Sequence, residues 1–427
     1  MSLEELYENF KKSSGVITDS RKIKQNQIFF SLKGVNFNGN KFAKAAIKNG
    51  ALLAIVDEKK YFHNNENYIL VDDSLKTLQS LANYHRKKLK TKIIAITGSN
   101  GKTTSKELIY SVLKINFKTY CTKGNLNNHI GVPLSLLEIS NETEFAVIEM
   151  GANHISEIEL LSKIAEPDYG YITNFGKAHL EGFGSEEGVI KGKTELYEFL
   201  KKSSGFIFYN SDDNKQKKNI SNYKNKFSFG KESSDLNYSV KIDNSGIIIE
   251  VDNIIIKSSL FGNYNITNIV SAISIGYYFG IPIEKIRNGI SDYISSNNRS
   301  QKIKINSNNI ILDAYNANPT SMLLAIKSFE KAKFHNKVLI LGDMFELGKN
   351  ENKFHQEIVD YCNNMDVIRI FLVGEIFSKT NYSNKFISCN NYIELSKIKE
   401  FKEIKNSSFL IKGSRAVELE KILQFIS

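Results

Sequence analysis

The feature that most limits what this chain can fold into is a strand, a glycine loop and a helix set end to end between residues 93 and 113. The apolar run Ile93–Ile96 leads into Thr97-Gly98-Ser99-Asn100-Gly101-Lys102-Thr103-Thr104, and Leu108, Ile109, Val112 and Leu113 follow at helical spacing. Glycines let backbone N–H groups converge on anionic oxygens, and the helix start adds the positive end of its dipole. Lys102 can reach β- and γ-phosphates, and Thr103 offers a hydroxyl to Mg2+. The run predicts a nucleoside triphosphate site in which Gly98, Ser99, Asn100, Gly101, Lys102, Thr103 and Thr104 hold ATP. It departs from G-x-x-x-x-G-K-[ST], because Ile96 stands five before Gly101, so the loop is shorter than in most P-loop proteins.

Around this loop, short β-rich runs alternate with helical patterns, which implies mostly parallel sheets flanked by helices. The first segment has strand-like runs at 27–32, 52–56 and 68–71 and helical patterns at 41–49 and 74–88. The second has strand runs at 93–97, 145–150, 169–173 and 205–210, and the third at 310–312, 337–342, 368–374 and 408–413. Three α/β domains are therefore expected: a small N-terminal one at 1–89, a central P-loop domain with a mostly parallel sheet at 90–297, and a C-terminal Rossmann-like one at 298–427. The run RKKLKTK at 86–92 reads as a frayed helix end or linker, and the Lys/Asn/Ser-rich stretch 211–226 as a surface loop.

A length of 427 residues excludes a small binding module, and 41% hydrophobic with 24% charged residues excludes a disordered chain. Lysine and arginine number 57 against 46 acidic residues, a net +11. That sign suits nucleic acid, anionic lipid or a phosphorylated small molecule alike. Abundant Lys, Asn and Ile with 4 Pro and no Trp give a plainer, compositional source for the charge, and neither a nucleic-acid partner nor membrane insertion is expected. The three cysteines, Cys121, Cys362 and Cys389, are far apart and outside any C-x-x-C spacing, which favours a reducing compartment over a disulfide framework. The N-terminus has no apolar signal region and no run of about 18 apolar residues occurs, so a cytoplasmic location is expected.

Several residues stand where site chemistry would be. Glu149 ends the apolar run 145–149 before a glycine, where a carboxylate suits Mg2+. His179 lies in a glycine-rich stretch after the next strand; a lone histidine is more often packed or exposed than ligating. Lys191 and Lys193, at i and i+2, point to different faces of a helix, so at most one aims into a site. Asn268, one turn into an apolar helix, can read an adenine edge. Asp313 opens an Asn-rich turn after a strand.

The short form T-G-x-x-G-K-T-T resembles that of the Mur ligase and folylpolyglutamate synthase superfamily, and the resemblance extends over nearly the whole chain. It takes in Glu149 in an E-M-G context, Asn174, Ala178, His179, Leu180 and Glu181 in N-x-x-x-A-H-L-E, and Asn265 and Asn268 in G-x-H-N-x-x-N, where Tyr264 replaces the usual His. It continues through Arg299-Ser300-Gln301 and D-x-Y-N-A-N-P-x-S-M at 313–322, although Leu312 stands where many relatives carry an acid. Further segments at 18–21, 29–34, 122–133, 341–348 and 412–415 resemble one branch, whose substrates are UDP-N-acetylmuramoyl-tripeptide and D-alanyl-D-alanine. The D-N-P-R motif of the diaminopimelate-adding branch is absent.

The resemblance implies ATP-dependent amide ligation through an acyl phosphate, in peptidoglycan precursor synthesis, by a monomer that opens and closes about hinges near 297–299. It implies Lys102, Glu149, His179 and Lys193 as catalytic residues and two Mg2+ held by Thr103, Glu149, His179 and Lys193, the lysine as a carbamate formed from its neutral amine. Asn268, Arg299 and Asp313 would join the ATP site. Ser20 and Arg21 would contact the uridine diphosphate, Asn125, Asn127 and Asn128 would line the peptide's path, and Ser414 and Arg415 would bind the dipeptide carboxylate. The alternatives are another Mur-type or folylpolyglutamate-type ligase, or a regulatory P-loop protein that has no use for a second-metal lysine.

Overall fold

The alternation of apolar runs and helices yields three α/β domains, seen here in a computed structural model that describes residues 2–243 and 246–426. The first carries a parallel sheet ordered Val16–Ile17, Ile28–Phe30, Leu53–Val56, Tyr68–Leu70. The central domain holds a seven-stranded parallel sheet ordered Leu236–Asn237, Lys226–Gly230, Phe206–Asn210, Tyr169–Ile172, Lys92–Thr97, Phe145–Glu149, Thr119–Cys121. The third domain has six strands ordered Gln301–Ile305, Asn308–Asp313, Ser408–Lys412, Lys337–Gly342, Arg369–Val373, Phe386–Cys389. Only its first strand runs antiparallel. Among the described residues no helix is long and apolar enough to cross a membrane.

The inner strands are apolar at every position because helices cover both faces. Ile93, Ile94, Ala95 and Ile96 are all fully buried, the odd and even positions feeding different clusters. One of these clusters is continuous from the first domain into the second: Leu6, Phe30, Leu78 and Leu81 pack with Ile93, Val132, Leu136 and Ile148.

Three features depart from the sequence reading. Residues 211–226 are not a surface loop. Asp213 caps the helix Asn214–Ile220 by accepting from Lys215 N and Gln216 N, buried Gln216 accepts from Asn210 N at 3.0 Å, and the chain then returns as the sheet strand Lys226–Gly230. A three-stranded antiparallel sheet, Ser239–Asp243, Gly246–Val251 and Ile254–Ser258, is added to the central domain. The run at 86–92 is neither frayed nor a free linker. Helix Ser74–Lys88 keeps its full length, and the buried Arg86 guanidinium donates to Ala165 O, Glu166 O and Thr91 O at 3.0–3.2 Å and to Asp168 Oδ2 at 2.8 Å. It thereby closes the carboxyl end of helix Glu157–Ala165, whose last carbonyls have no partner within the helix.

Removing Arg86 would leave those carbonyls unpaired inside the domain junction. Arg86→Ala should cost about 3 kcal/mol, even after discounting the ion pair because Asp168 is 44% exposed. The thermal midpoint followed by circular dichroism should fall by roughly 3–6 °C, while Lys87→Ala, on the solvent side, should stay within about 1 °C of the parent.

Candidate active site

Strand register assembles the site. Ile96 pairs with Glu149 on one side and with Tyr171 on the other. The glycine loop, the Glu149 carboxylate and the segment Thr173–Asn174 therefore leave the sheet at one level, at the carboxyl ends of the strands where open α/β sheets carry their ligand crevice. Gly98 has φ +136°, and a Cβ there would stand 2.9 Å from Thr173 N and 3.1 Å from Asn174 N. The loop can lie against the neighbouring strand end only because this residue is glycine. Asn174 braces the loop from the side, accepting from Asn100 N at 3.2 Å and donating to Asn100 O at 2.9 Å, while Ser99 Oγ donates to Gly176 O.

A cavity of about 840 Å³ opens over this loop and is roofed by the third domain. Of the residues singled out from sequence, Ser99 through Thr104, Asn125, Asn127, Asn128, Glu149, His179, Asn268, Arg299 and Asp313 all line it. Gly98 lies behind the loop. Lys193 is buried one layer back, its Nζ donating at 2.9 Å to the carbonyl of Ala152, which does line the cavity. Lys191, two residues earlier on helix Glu186–Lys202, is exposed, as the i, i+2 spacing requires. Burial, reinforced by the nearby Lys102 charge, holds the Lys193 amine well below the ordinary lysine range. Burial also lowers Lys102, against the opposing pull of Glu149. Its Nζ turns back onto Gly98 O and Ser99 O at 2.8 and 3.2 Å.

Ser20, Arg21, Ser414 and Arg415 are not gathered there, and three of the cavity-lining asparagines are engaged by protein partners. Arg21 is exposed and forks onto Asp19, whose carboxyl it lowers to about 2, and neither Ser20 nor Arg21 lines the cavity. Ser414 is buried with its hydroxyl accepting from Phe345 N, and exposed Arg415 pairs with Glu420. Asn127 donates to Glu149 Oε1 at 2.7 Å, so it orients the acid, and Asn128 accepts from Ile130 N and Gly131 N at the start of helix Gly131–Leu137. Asn268 accepts from Ser105 Oγ and donates to Asn265 Oδ1 beneath Gly101.

The third domain reaches the cavity through residues that the sequence reading did not single out as site residues. Asn318 Nδ2 donates to Asn100 Oδ1 at 2.7 Å, Lys177 N donates to Thr320 Oγ1 at 3.2 Å, and the His179 ring meets the Glu346 carboxylate. Lys412 Nζ binds Asp313 Oδ2 at 2.6 Å, and Asp313 Oδ1 accepts from Ser300 N. The Arg299 guanidinium lies 3.8 Å over the Tyr315 ring. Asn297, Asn298 and Ser300 all take left-handed backbone conformations, with φ between +47° and +60°, which concentrates strain where the chain crosses between domains. Lys106 was also overlooked; its only signal is a lysine one turn after Lys102 on the buried face of the helix Lys102–Leu113.

Three buried polar atoms of cavity-lining residues have no hydrogen-bond partner among the described residues: Asn100 Nδ2, Glu149 Oε2 and Arg299 Nε. Buried groups of this kind are rare unless a ligand completes them. Two are donors, suited to phosphate oxygens, and one is a carboxylate oxygen, suited to a cation. No cluster of three or more His, Cys, Asp or Glu residues among the described residues forms a ready metal cage. One carboxylate and the Thr103 hydroxyl on the walls of the same cavity are nevertheless a donor set that fits Mg2+, which keeps water and takes oxygens from a nucleotide.

A short P-loop on a parallel sheet, a buried acid beside it and a Rossmann-like domain across the opening define a three-domain P-loop nucleotide enzyme. Family models match along the chain in the same order: "Mur ligase family, catalytic domain" at residues 12–86, "Mur ligase middle domain" at 96–276, and "Mur ligase, glutamate ligase domain" at 298–401. UDP-N-acetylmuramoyl-tripeptide–D-alanyl-D-alanine ligase from Bacillus subtilis is 36% identical over 96% of this chain and 92% of its own length. The enzyme of that name from Haemophilus influenzae is 32% identical over 95% and 92%. Among solved structures, MurF from Acinetobacter baumannii superposes with a TM-score of 0.87 at 28% identity, covering 98% of this chain and 97% of its own. MurF ligase from Thermotoga maritima in complex with ADP superposes at 0.85 and 28%, covering 96% of each. The chain belongs to the Mur ligase family.

Gly98→Ala should test the loop's placement. A methyl group there meets neighbouring backbone, and the variant should lose about 2–3 kcal/mol. Gly124→Ala, at φ +54° with open space around it, should lose only about 1 kcal/mol. Thermal melts of the two proteins side by side check the order.

Proposed function

We propose that the chain is an ATP-dependent amide ligase that joins D-alanyl-D-alanine to UDP-N-acetylmuramoyl-tripeptide, acting as a cytoplasmic monomer in peptidoglycan precursor synthesis. The observation that carries this reading is the convergence of unpaired Asn100, Arg299 and Glu149 atoms on one cavity over the glycine loop, in a chain whose full-length relatives bear that enzyme's name.

A carboxylate is a poor acyl donor until its oxygen is phosphorylated. In the proposed reaction the tripeptide's terminal carboxylate attacks the γ-phosphorus of ATP, ADP leaves, and an acyl phosphate forms. The dipeptide amine then adds to the carbonyl, phosphate departs, and the amine proton is lost to give the amide. The loop N–H groups and Lys102 hold the phosphates, Lys102 exchanging its two carbonyl partners for phosphate oxygens. Arg299, stacked on Tyr315, is placed to add positive charge from the third domain. Asn268 braces the loop from below and presents its remaining amide hydrogen toward the base.

Mg2+ would supply charge neutralisation on the phosphates, with Glu149 and Thr103 as holders and His179 joining them once released from Glu346. Lys193, whose amine burial holds well below the ordinary lysine range, is the residue for a carbamate formed with CO2, which would create an anionic holder for a second ion. The first domain, with Ser20 and Arg21, takes the uridine diphosphate, Asn125 flanks the peptide, and Ser414 with Arg415 takes the dipeptide carboxylate.

Phosphate release from ATP should require both UDP-N-acetylmuramoyl-tripeptide and D-alanyl-D-alanine. Release stimulated instead by DNA or RNA would contradict the ligase reading. Lys193→Ala should lower turnover by about a hundredfold, and short carboxylic acids should restore part of it; unchanged turnover would refute the carbamate.

A further inference from the structure

The helix that starts at the phosphate loop carries a second lysine one turn beyond Lys102, and the mechanism above gives it no task. Lys106 is 1% exposed. Its Nζ donates to Thr122 O at 2.7 Å and stands 3.8 Å from Glu149 Oε2, with Glu107 Oε1 at 3.9 Å on the other side. Glu107 is itself engaged by the Tyr293 hydroxyl at 2.7 Å. Thr122 ties the two groups together, because its hydroxyl accepts from Glu149 N at 3.0 Å while its carbonyl takes the lysine.

Burying an ammonium group is expensive unless it is paired. An apolar side chain of similar length would fill the same slot against the sheet without that penalty. The carbonyl of Thr122 satisfies only one of the three N–H groups. Two carboxylates balance the charge, the partly exposed Glu107, already engaged by Tyr293, and the Glu149 carboxylate, which is buried as fully as the lysine. The spacing matters: at 3.8 Å the ammonium balances the carboxylate electrostatically but leaves Oε2 free of any hydrogen bond. A buried oxygen of a cavity-lining residue is thus charge-compensated yet unbonded.

We infer that Lys106 is a positioning residue for Glu149: a built-in counter-charge that keeps the carboxylate aimed into the cavity and discourages a bare divalent cation from settling there without nucleotide. A divalent ion at Oε2 lies within a few ångströms of the ammonium and is repelled by it in a poorly screened interior. The negative charge of a triphosphate outweighs that repulsion, so the cation enters with its nucleotide. The inference rests on the reading of Glu149 as a cation holder.

The test is an electron paramagnetic resonance titration of nucleotide-free protein with Mn2+, using wild type, Lys106→Gln, Lys106→Met, Glu149→Gln and the double variant Lys106→Gln/Glu149→Gln. Circular dichroism checks folding of each. Removing the positive charge should tighten Mn2+ binding by about tenfold or more, and the gain should vanish in the double variant. A merely structural lysine predicts the reverse, so unchanged or weaker binding by a folded Lys106→Gln or Lys106→Met protein overturns the inference. Tightening that persists in the double variant places the ion away from Glu149 and overturns the reading of Glu149 itself. Glu149→Gln alone supplies a measurement that does not depend on the lysine variants folding. It removes the buried counter-charge, leaving only the partly exposed Glu107, and should lower the thermal midpoint; an unchanged midpoint contradicts the pairing.

Discussion

The pairing of Ile96 with Glu149 on one side and Tyr171 on the other is the constraint on which the site depends. Three strands, far apart in the chain, must end at the same height for the glycine loop, the acid and Asn174 to share a cavity. A slip of one residue would turn the Glu149 carboxylate to the opposite face of the sheet. The all-apolar strand interiors resist such a slip, because helices bury both faces and every position is specified by packing. Arg86 extends this rigidity into the first domain by capping the helix Glu157–Ala165, against which its own helix Ser74–Lys88 packs. A substrate held by the first domain is therefore held in register with the loop.

The third domain is attached differently. Phe261 of the central domain seats it against Phe329 and Phe334, while across the cavity itself the contacts are polar, joining Asn318 to Asn100, Thr320 to Lys177, and Glu346 to His179. The crossing at Asn297, Asn298 and Ser300 uses left-handed residues, whose strain a change of backbone angle would relieve. A rigid lower half with a roof joined to it by one aromatic seat and a few hydrogen bonds across the cavity suits chemistry in which a reactive acyl phosphate has to be shielded from water and then released as product. The contacts that form the roof also involve the cavity's own residues, because Asn100 belongs to the loop and His179 lines the same cavity as Glu149.

Much of this was legible in the sequence because it follows from local pattern. The strand–loop–helix at 93–113, the i, i+2 separation of Lys191 and Lys193, and the end of an apolar run at Glu149 each express a periodicity or a boundary. What was not legible depends on partners distant in the chain. Arg86 reads as one basic residue in RKKLKTK until the carbonyls of Ala165 and Glu166 are seen beneath it. Gln216 reads as surface polarity until it is found accepting from the backbone of Asn210. Lys106 hides in a helix whose other members pack as sequence periodicity requires, and Asn127 reads as one of several polar loop residues until its amide is found on Glu149. Ser20, Arg21, Ser414 and Arg415 were marked by family resemblance alone, and the present arrangement places them away from the common cavity.

The central claim is that a carboxylate is phosphorylated inside this cavity before the amide forms. The most direct measurement follows an oxygen atom: the tripeptide's terminal carboxylate is labelled with oxygen-18, a single batch is turned over with ATP and D-alanyl-D-alanine, and the released phosphate is weighed by mass spectrometry. An acyl phosphate requires one labelled oxygen to pass into each phosphate formed. Phosphate released without label would mean that ATP is cleaved by water, and the account of the site would be wrong.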